Sequence, residues 1–173
     1  MSQEHESFTM IFNEHYPGLC RFLETMIGRR HLAEEIAQES FLRLYKLGDG
    51  AIRAGEERFW LYRVAHNLAL NEIRKLETPK RFSNQIKDLF RSSDPTPQAE
   101  LEQKERQRVL RSLLHDLPET QRAALLLREQ QEMSYREIAS VLSVSESKVK
   151  IDIFRARNAL RVRWKEIEPF SND

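Results

Sequence analysis

Seven basic side chains gather in one short stretch near the end of the chain. Residues 146–165 carry seven lysines and arginines against Glu146 and Asp152, a net charge of +5. The whole chain of 173 residues has a formal net charge of only +1, so the excess is local. A local positive excess of this kind is the electrostatic footprint of a surface that binds a polyanion. A solvated helix face that keeps the chain soluble explains the same charges equally well.

Two helices separated by a tight turn are predicted around these basic residues. Ser134 and Glu137 form a capping-box pattern, which starts a helix over residues 134–142. Ser145 is suited to cap a second helix, which runs over residues 145–165 and carries the basic side chains. The spacing therefore predicts a short helix, a turn of about three residues and a longer basic helix.

The apolar residues of these two helices fit a helix-turn-helix. Ala139 is small enough to let the helices cross closely, and one apolar stripe on the second helix supplies its packing face: Val149, Ile153, Ala156 and Leu160. The opposite face, with Lys148, Lys150, Ile151 and Arg155, is then available to enter a major groove. An ordinary helical hairpin without a DNA role has the same spacing.

A predicted helix over residues 31–47 has a second polar stripe opposite its core stripe. This stripe consists of Glu35, Gln38, Glu39, Leu42 and Lys46. An acidic and amide-bearing face with one leucine suits a protein partner. A solvated helix face is the alternative interpretation.

A predicted helix over residues 57–76 carries amides and arginines on one outer face, at Arg63, Asn67, Leu70, Asn71 and Arg74. Asparagine side chains can hydrogen-bond base edges, and arginine can hold phosphate. Its first turns also contain Phe59, Trp60 and Tyr62, which are candidates for stacking on unpaired bases. Aromatic residues at the start of a helix also serve in the core, and that alternative stays open.

The remaining periodicity predicts an all-α chain of two small helical domains joined by a linker. Residues 1–76 form the first domain, with a helix over 8–27 that Pro17 is expected to kink or divide. Residues 77–99 form a linker rich in proline and serine, with a short amphipathic helix over 82–90 and an N-cap at Thr96-Pro97. Residues 100–173 form the second domain, with helices over 97–115, from 118 to about 131, 134–142 and 145–165.

Several classes of protein do not fit the sequence. The chain has one cysteine, so it contains no internal disulfide and no multi-thiolate metal site. No catalytic triad, phosphate-binding glycine loop or HExxH motif is present, which argues against an enzyme and against a cofactor. The longest apolar run, residues 123–127, is too short for a membrane span, and the first ten residues do not form a secretion signal. These observations predict a cytoplasmic protein that binds no metal.

Three motifs in order resemble the extracytoplasmic-function group of the sigma-70 family, the promoter-recognition subunits of bacterial RNA polymerase. Residues 33–45 (AEEIAQESFLRLY) resemble region 2.2, and residues 59–69 (FWLYRVAHNLA) resemble region 2.3. Residues 117–122 (LPETQR), 135–139 (YREIA) and 149–157 (VKIDIFRAR) resemble region 4. The resemblance extends over nearly the whole chain.

The resemblance implies a function for each domain. The first domain would bind the clamp helices of the polymerase's largest subunit through Glu35, Gln38, Glu39 and Leu42. It would also melt the −10 element and hold a flipped base, with contacts from Trp60, Arg63, Asn67, Asn71 and Arg74, while the 48–56 loop shapes the base pocket. The second domain would bind the −35 element as duplex, with contacts from Tyr135, Arg136, Ser147, Lys148, Lys150, Ile151 and Arg155.

The resemblance also implies partners. The chain would bind core polymerase and promoter DNA, as a monomer when unbound and 1:1 with a partner, and an anti-sigma factor would control it. Catalysis would belong to the polymerase. A free-standing helix-turn-helix regulator, which would dimerise on palindromic duplex, is the second interpretation, and a helical adaptor is the third.

The helix-turn-helix, whose second helix over 145–165 would be the recognition helix, departs from the family pattern at four positions. Ser143 and Ser147 stand where glycine is common, so a left-handed conformation at Ser143 is expected at some cost. Ile151 replaces a small polar residue and could contact a thymine methyl group. Asp152 replaces a basic residue; it could accept from a cytosine amine, brace Arg155 or brace Lys148.

Overall fold

The structure is a computed structural model that describes residues 3–48, 50–77 and 98–167. These residues form seven helices and no strand: α1 (Gln3–Ile27), α2 (Arg30–Leu47), α3 (Glu57–Leu76), α4 (Gln98–His115), α5 (Glu119–Glu129), α6 (Tyr135–Leu142) and α7 (Glu146–Ile167). The all-α prediction is confirmed. The amphipathic helix predicted over 82–90 and the N-cap at Thr96-Pro97 lie outside the described residues.

The N-terminal half consists of α1, α2 and α3 packed against one another. Its largest fully buried side chains come from all three helices: Leu19, Phe22, Leu23, Met26, Phe41, Leu61 and Tyr62. The structure has α1 as one helix through Pro17, so the prediction that this proline divides it is wrong. Leu47, the last residue of α2, is 49% exposed.

The C-terminal half is organised by the start of α6. The Ser134 hydroxyl accepts from the Glu137 amide at 3.2 Å, and the Glu137 carboxylate accepts from the Ser134 amide at 2.7 Å. Both bonds of the predicted capping box are therefore present. Met133 and Ile138 on either side of this cap are fully buried, as a hydrophobic staple requires.

The turn between α6 and α7 has the left-handed conformation that was expected at Ser143. Ser143 has φ 56° and ψ 45°, which is the left-handed region. The Ser145 hydroxyl accepts from the Lys148 amide at 3.1 Å, so Ser145 caps α7 as predicted. The chain therefore reverses between α6 and α7 in three residues.

Replacing Ser134 with alanine should lower the free energy of unfolding by about 1 kcal/mol, because the Glu137 amide loses its acceptor and the capping box is lost. Urea denaturation followed by far-UV circular dichroism measures the change. Ser112→Ala is the control, since Ser112 is exposed within α4 and alanine favours helix. Equal stability of Ser134→Ala and the wild type would contradict the role of this cap.

The two halves also pack on each other. The buried apolar side chains form one continuous cluster, which runs from Leu19 in α1 to Ala156 in α7. Helix α3 lies against α6, and α1 contacts both α4 and α5. The N-terminal half therefore packs against α6, the first helix of the helix-turn-helix.

No helix among the described residues is both long and apolar enough to span a bilayer.

Candidate nucleic-acid interface

One side of α7 packs into the core, and the other side is open. Val149, Ile153 and Ala156 are buried, as the apolar stripe predicted. The predicted DNA contacts on this helix lie outside the stripe and are exposed: Ser147, Lys148, Lys150, Ile151 and Arg155. The structure therefore brings these five predicted residues to one open surface.

Phe154 is an exposed aromatic residue that the sequence analysis did not single out. Its side chain is 65% exposed, and it follows Ile151, which is 46% exposed, by three residues on the same helix. Residues three apart are neighbours on a helix surface, so both lie on the open side of α7. An apolar residue off the stripe at 149, 153, 156 and 160 is the sequence signal that would have found it.

Tyr135 connects α5, α6 and α7 at the edge of this surface. Its ring is half-buried, and the Arg128 guanidinium lies 5.0 Å from the ring centroid. The Lys150 ammonium lies 5.9 Å from the same centroid, which is within the range of a cation–π contact. The Tyr135 ring therefore contacts the Lys150 ammonium. Arg136, the next residue, is exposed.

Carboxylates outside α7 hold two of its arginines. Arg157 pairs with Glu129 of α5 at 2.5 Å, and Arg163 pairs with Asp116 at 2.5 Å. These ion pairs are exposed, so each contributes little to stability, but they fix the second half of α7 against the rest of the domain. Residues 146–152 carry two lysines against Glu146 and Asp152, so the excess of positive charge on α7 begins at Arg155.

The predicted polymerase-binding residues share one face of α2. Glu35, Gln38 and Leu42 are exposed, and Glu39 is half-buried. Glu35 pairs with His31 at 3.1 Å, and Glu39 pairs with Arg43 at 2.8 Å. Tyr45, three residues beyond Leu42, is 52% exposed and was not among the predicted contacts.

The predicted single-strand contacts on α3 have two different environments. Asn67, Asn71 and Arg74 are exposed, whereas Trp60 and Arg63 are half-buried. Arg63 donates to Ser140 of α6, from Nε to the backbone oxygen at 3.2 Å and from Nη2 to the hydroxyl at 2.9 Å. The C-terminal half therefore occupies one of the residues predicted to hold the −10 strand.

Tyr62 is not available for stacking on a base, because its side chain is 1% exposed. Its hydroxyl donates to Gln131 Oε1 at 2.6 Å, and burial raises the pKa of this phenol. Phe59 and Trp60 are partly buried against the core. Of the three aromatic candidates, Tyr62 therefore belongs to the core, as the alternative interpretation held.

Gln131 joins the two halves through three hydrogen bonds. Besides the bond from Tyr62, its Nε2 donates to the Gly18 oxygen at 3.3 Å, and its own backbone oxygen accepts from Arg58 Nη2 at 2.5 Å. A Cβ atom at Gly18 would lie 3.0 Å from the Tyr62 hydroxyl, so glycine permits this close approach.

Arg122 makes a second, buried connection between the halves. Its Nη1 donates to the Met26 oxygen at 2.6 Å, and Nη2 donates to the Leu117 oxygen at 3.3 Å. The His115 Nδ1 lies 3.3 Å from Arg122 Nη1. Burial, together with this guanidinium, lowers the pKa of His115 to about 4, so the ring is neutral at pH 7.

The described residues contain no group of three or more histidine, cysteine or carboxylate side chains that could hold a metal ion. His66 is buried, and burial lowers its pKa to about 4. It is therefore a neutral core residue at pH 7.

Two family models match the chain in sequence order. The first, Sigma-70 region 2, matches residues 11–78, and the second, Sigma-70 region 4, matches residues 107–160. The matched segments contain α2 and α3 in the first case and α5 and α6 in the second. Both faces described above fall within these segments.

Curated relatives match over nearly the full chain. The ECF RNA polymerase sigma factor SigM of Bacillus subtilis is 32% identical over 160 residues, which covers 92% of this chain and 93% of that protein. The ECF RNA polymerase sigma factor SigW of the same organism is 28% identical and covers 95% and 92%.

Two solved structures share the fold. The sigma factor RpoE in complex with the anti-sigma factor NepR, from Bartonella quintana, superposes with a TM-score of 0.70 at 20% identity, covering 92% of this chain and 98% of that one. CnrH in complex with the cytosolic domain of CnrY gives a TM-score of 0.67 at 23% identity, covering 95% and 91%.

Proposed function

Because this chain belongs to the extracytoplasmic-function sigma factors of RNA polymerase, we propose that its two exposed helix faces and its α3 face divide the work of promoter recognition. A sigma factor binds core RNA polymerase and directs initiation at promoters, and that is the function of this chain. The proposal concerns which residues carry each step, and the division into residues 1–76, 77–99 and 100–173.

We propose that α7 reads the −35 element as duplex DNA. The observation that carries this assignment is the open side of α7, where Lys150, Ile151 and Arg155 are exposed beside a buried apolar stripe. Lysine and arginine would hold phosphates, and Ile151 would contact a thymine methyl group. Ser147, Lys148, Tyr135 and Arg136 complete the proposed contact surface.

We propose that α3 captures the separated strand of the −10 element. Asn67 and Asn71 are exposed amides that can hydrogen-bond the edges of unpaired bases, and Arg74 can hold phosphate. Trp60 and Arg63 join this surface when α6 moves away from α3. Unstacking costs a few kcal/mol per step, which capture of a flipped base partly offsets.

We propose that α2 docks on the clamp helices of the largest polymerase subunit. Glu35, Gln38 and Leu42 form an exposed stripe with Glu39 beside it. This face is exposed while the two halves are packed together, which we call the closed arrangement, so polymerase can reach it there. The stoichiometry would be 1:1 in the cytoplasm, and nucleotidyl transfer would remain with the polymerase.

We also propose control by an anti-sigma factor. Support comes from the structure of similar fold in which the sigma factor RpoE is bound to the anti-sigma factor NepR. The regulator would compete with polymerase for the same exposed faces.

Two charge changes should separate these activities. Glu39→Lys should weaken capture of core polymerase by about tenfold, because it replaces a carboxylate at the proposed interface by a positive charge that repels Arg43. Binding of the full chain to duplex DNA should persist. Lys150→Ala or Arg155→Ala should do the reverse and reduce the salt dependence of duplex binding by about one counterion. Pull-down with core polymerase and fluorescence anisotropy with duplex DNA measure the two effects.

Glu100→Lys and Lys104→Ala are the matched controls, because both residues are exposed on α4, which carries none of the proposed contacts. A chain that binds palindromic duplex as a dimer and ignores core polymerase would instead be a free-standing regulator. Equal loss of both activities in each variant would also contradict the division of labour.

A further inference from the structure

Asp152 lies on the recognition helix but not on its open side. The residue is 2% exposed, whereas Ile151 before it is 46% exposed and Arg155 is exposed one turn later. A carboxylate that reads a cytosine must extend into the groove to accept from the N4 amino group. A side chain buried to this extent does not reach a base edge, so Asp152 is not a base reader.

The partner of Asp152 is Lys148, one turn earlier on α7. Lys148 Nζ lies 2.5 Å from Asp152 Oδ1. The two side chains differ in burial, since that of Asp152 is 3% exposed and that of Lys148 is 45% exposed. A buried carboxylate needs a counter-charge, and here the counter-charge reaches it from the solvent side.

Lys148 is also fixed through its main chain. Its amide donates to the Ser145 hydroxyl at 3.1 Å, which places it in the capped first turn of α7. A lysine side chain on a surface helix samples many rotamers, and the bond to Asp152 selects one direction for the ammonium group. Two of its three N–H donors remain for another acceptor, such as a phosphate oxygen.

We propose that Asp152 is a positioning residue, which holds the Lys148 ammonium at the edge of the groove-facing surface so that it meets one DNA phosphate in a single geometry. This inference rests on the proposed function of α7 in binding the −35 element. The carboxylate also offsets the charge of Lys148 toward DNA of any sequence, whereas the fixed geometry helps only in the register that brings a phosphate within reach. Asp152 therefore favours the correct sequence by limiting non-specific attraction.

The test uses the full chain bound to core polymerase and two DNA probes. One probe is a duplex that the wild-type holoenzyme selects from a library randomised over the upstream promoter element, and the other is an unrelated duplex of equal length. Asp152→Asn should tighten binding to the unrelated duplex and steepen its salt dependence by up to about one counterion. The ratio of affinities for the selected and unrelated duplexes should fall about fivefold to tenfold.

A double-mutant cycle separates positioning from a structural role. In the Lys148→Met background, Asp152→Asn should cause no further loss of the affinity ratio, because Asp152 acts through Lys148. Glu146→Gln is the matched control, since it removes an exposed carboxylate from the first turn of the same helix. That control should tighten binding to both duplexes by the same factor, so the affinity ratio should stay unchanged.

Four results would overturn the proposal. They are an unchanged affinity ratio in Asp152→Asn, an equal loss with and without Lys148, a new base preference at one position, and failure of the wild-type holoenzyme to select any sequence. The last result overturns the proposed function as well, whereas the first three leave it standing. If the single variants do not fold, Lys148→Met/Asp152→Leu replaces the pair by apolar side chains. It should lose the affinity ratio at unchanged net charge, and an unchanged ratio there would equally refute the positioning role.

Discussion

Covalent linkage of residue 25 to residue 130 should abolish promoter-directed transcription while leaving capture of core polymerase in place. Gln130 Nε2 of the C-terminal half lies 3.3 Å from Thr25 Oγ1 of α1. Cysteines at these two positions can therefore be joined by a short crosslinker that attaches through reducible disulfide bonds. We expect a loss of at least tenfold in transcripts from a selected promoter. Cleavage of the linker with a reductant should restore them.

The physical reason lies in the contact between α3 and α6. Arg63 makes two hydrogen bonds to Ser140, which hold its guanidinium against α6 rather than against a −10 strand bound along α3. DNA that binds only the open arrangement shifts the population toward it, provided that the halves can separate. A crosslink removes the open arrangement from the ensemble, whereas the face of α2 stays accessible.

The experiment is a triple variant, Cys20→Ser/Thr25→Cys/Gln130→Cys, because the native Cys20 is only partly buried and could react. Cys20→Ser/Asp116→Cys/Arg163→Cys is the control, since Asp116 and Arg163 pair within the C-terminal half and their crosslink does not join the halves. Transcription in vitro and a pull-down with core polymerase are compared before and after reduction. Full activity of the linked protein would show that promoter binding does not require the halves to part.

Local sequence patterns predicted the elements well, because their causes are local. The capping box at Ser134 and Glu137 involves residues three apart. The left-handed conformation at Ser143 was expected instead from the family resemblance, which places a glycine there. The bounds of α2 and α3 likewise follow from apolar residues at helical spacing. The open side of α7 could be predicted for the same reason, since one apolar stripe defines the face opposite to it.

The contacts between the halves could not be predicted from such patterns. The bond from Tyr62 to Gln131 joins residues 69 positions apart, and the bond from Arg122 to Met26 joins residues 96 positions apart. Nothing in the type of Gln131 distinguishes it from a solvated glutamine. Asp152 shows the same limit, because spacing allowed both Lys148 and Arg155 as partners and only burial and distance select Lys148.

Loss of Arg122 should strongly destabilise the protein. It is 6% exposed, and its partners are backbone oxygens rather than a carboxylate, so the fold carries the cost of desolvating a cation. Burial lowers its pKa accordingly. An apolar replacement recovers that desolvation cost, but it leaves the Met26 and Leu117 oxygens without the donor that now reaches them.

We expect the second effect to win, because the Met26 oxygen belongs to the last turn of α1, where carbonyls lack intrahelical donors and the helix dipole is negative. Arg122→Met should therefore lower the free energy of unfolding by about 3 kcal/mol in urea denaturation. Arg122→Lys should recover less than half, since one ammonium cannot reproduce the fork of a guanidinium. Arg106→Met, an exposed change on α4, should stay within about 0.5 kcal/mol.

The pH dependence of Arg122→Met provides a second readout. In the wild type, the pKa of His115 is about 4 in the folded state and about 6.5 in the unfolded chain. The unfolded chain therefore binds a proton that the folded one excludes, and His115 lowers stability as the pH falls from 6.5 to 4. Without the guanidinium 3.3 Å away, the folded pKa of His115 should rise, so the variant should lose less stability between pH 7 and pH 5. The pH dependence of stability could instead be the same in Arg122→Met as in the wild type, or the variant could be more stable at pH 7. Either result would contradict the role of Arg122 as a buried connection between the two halves.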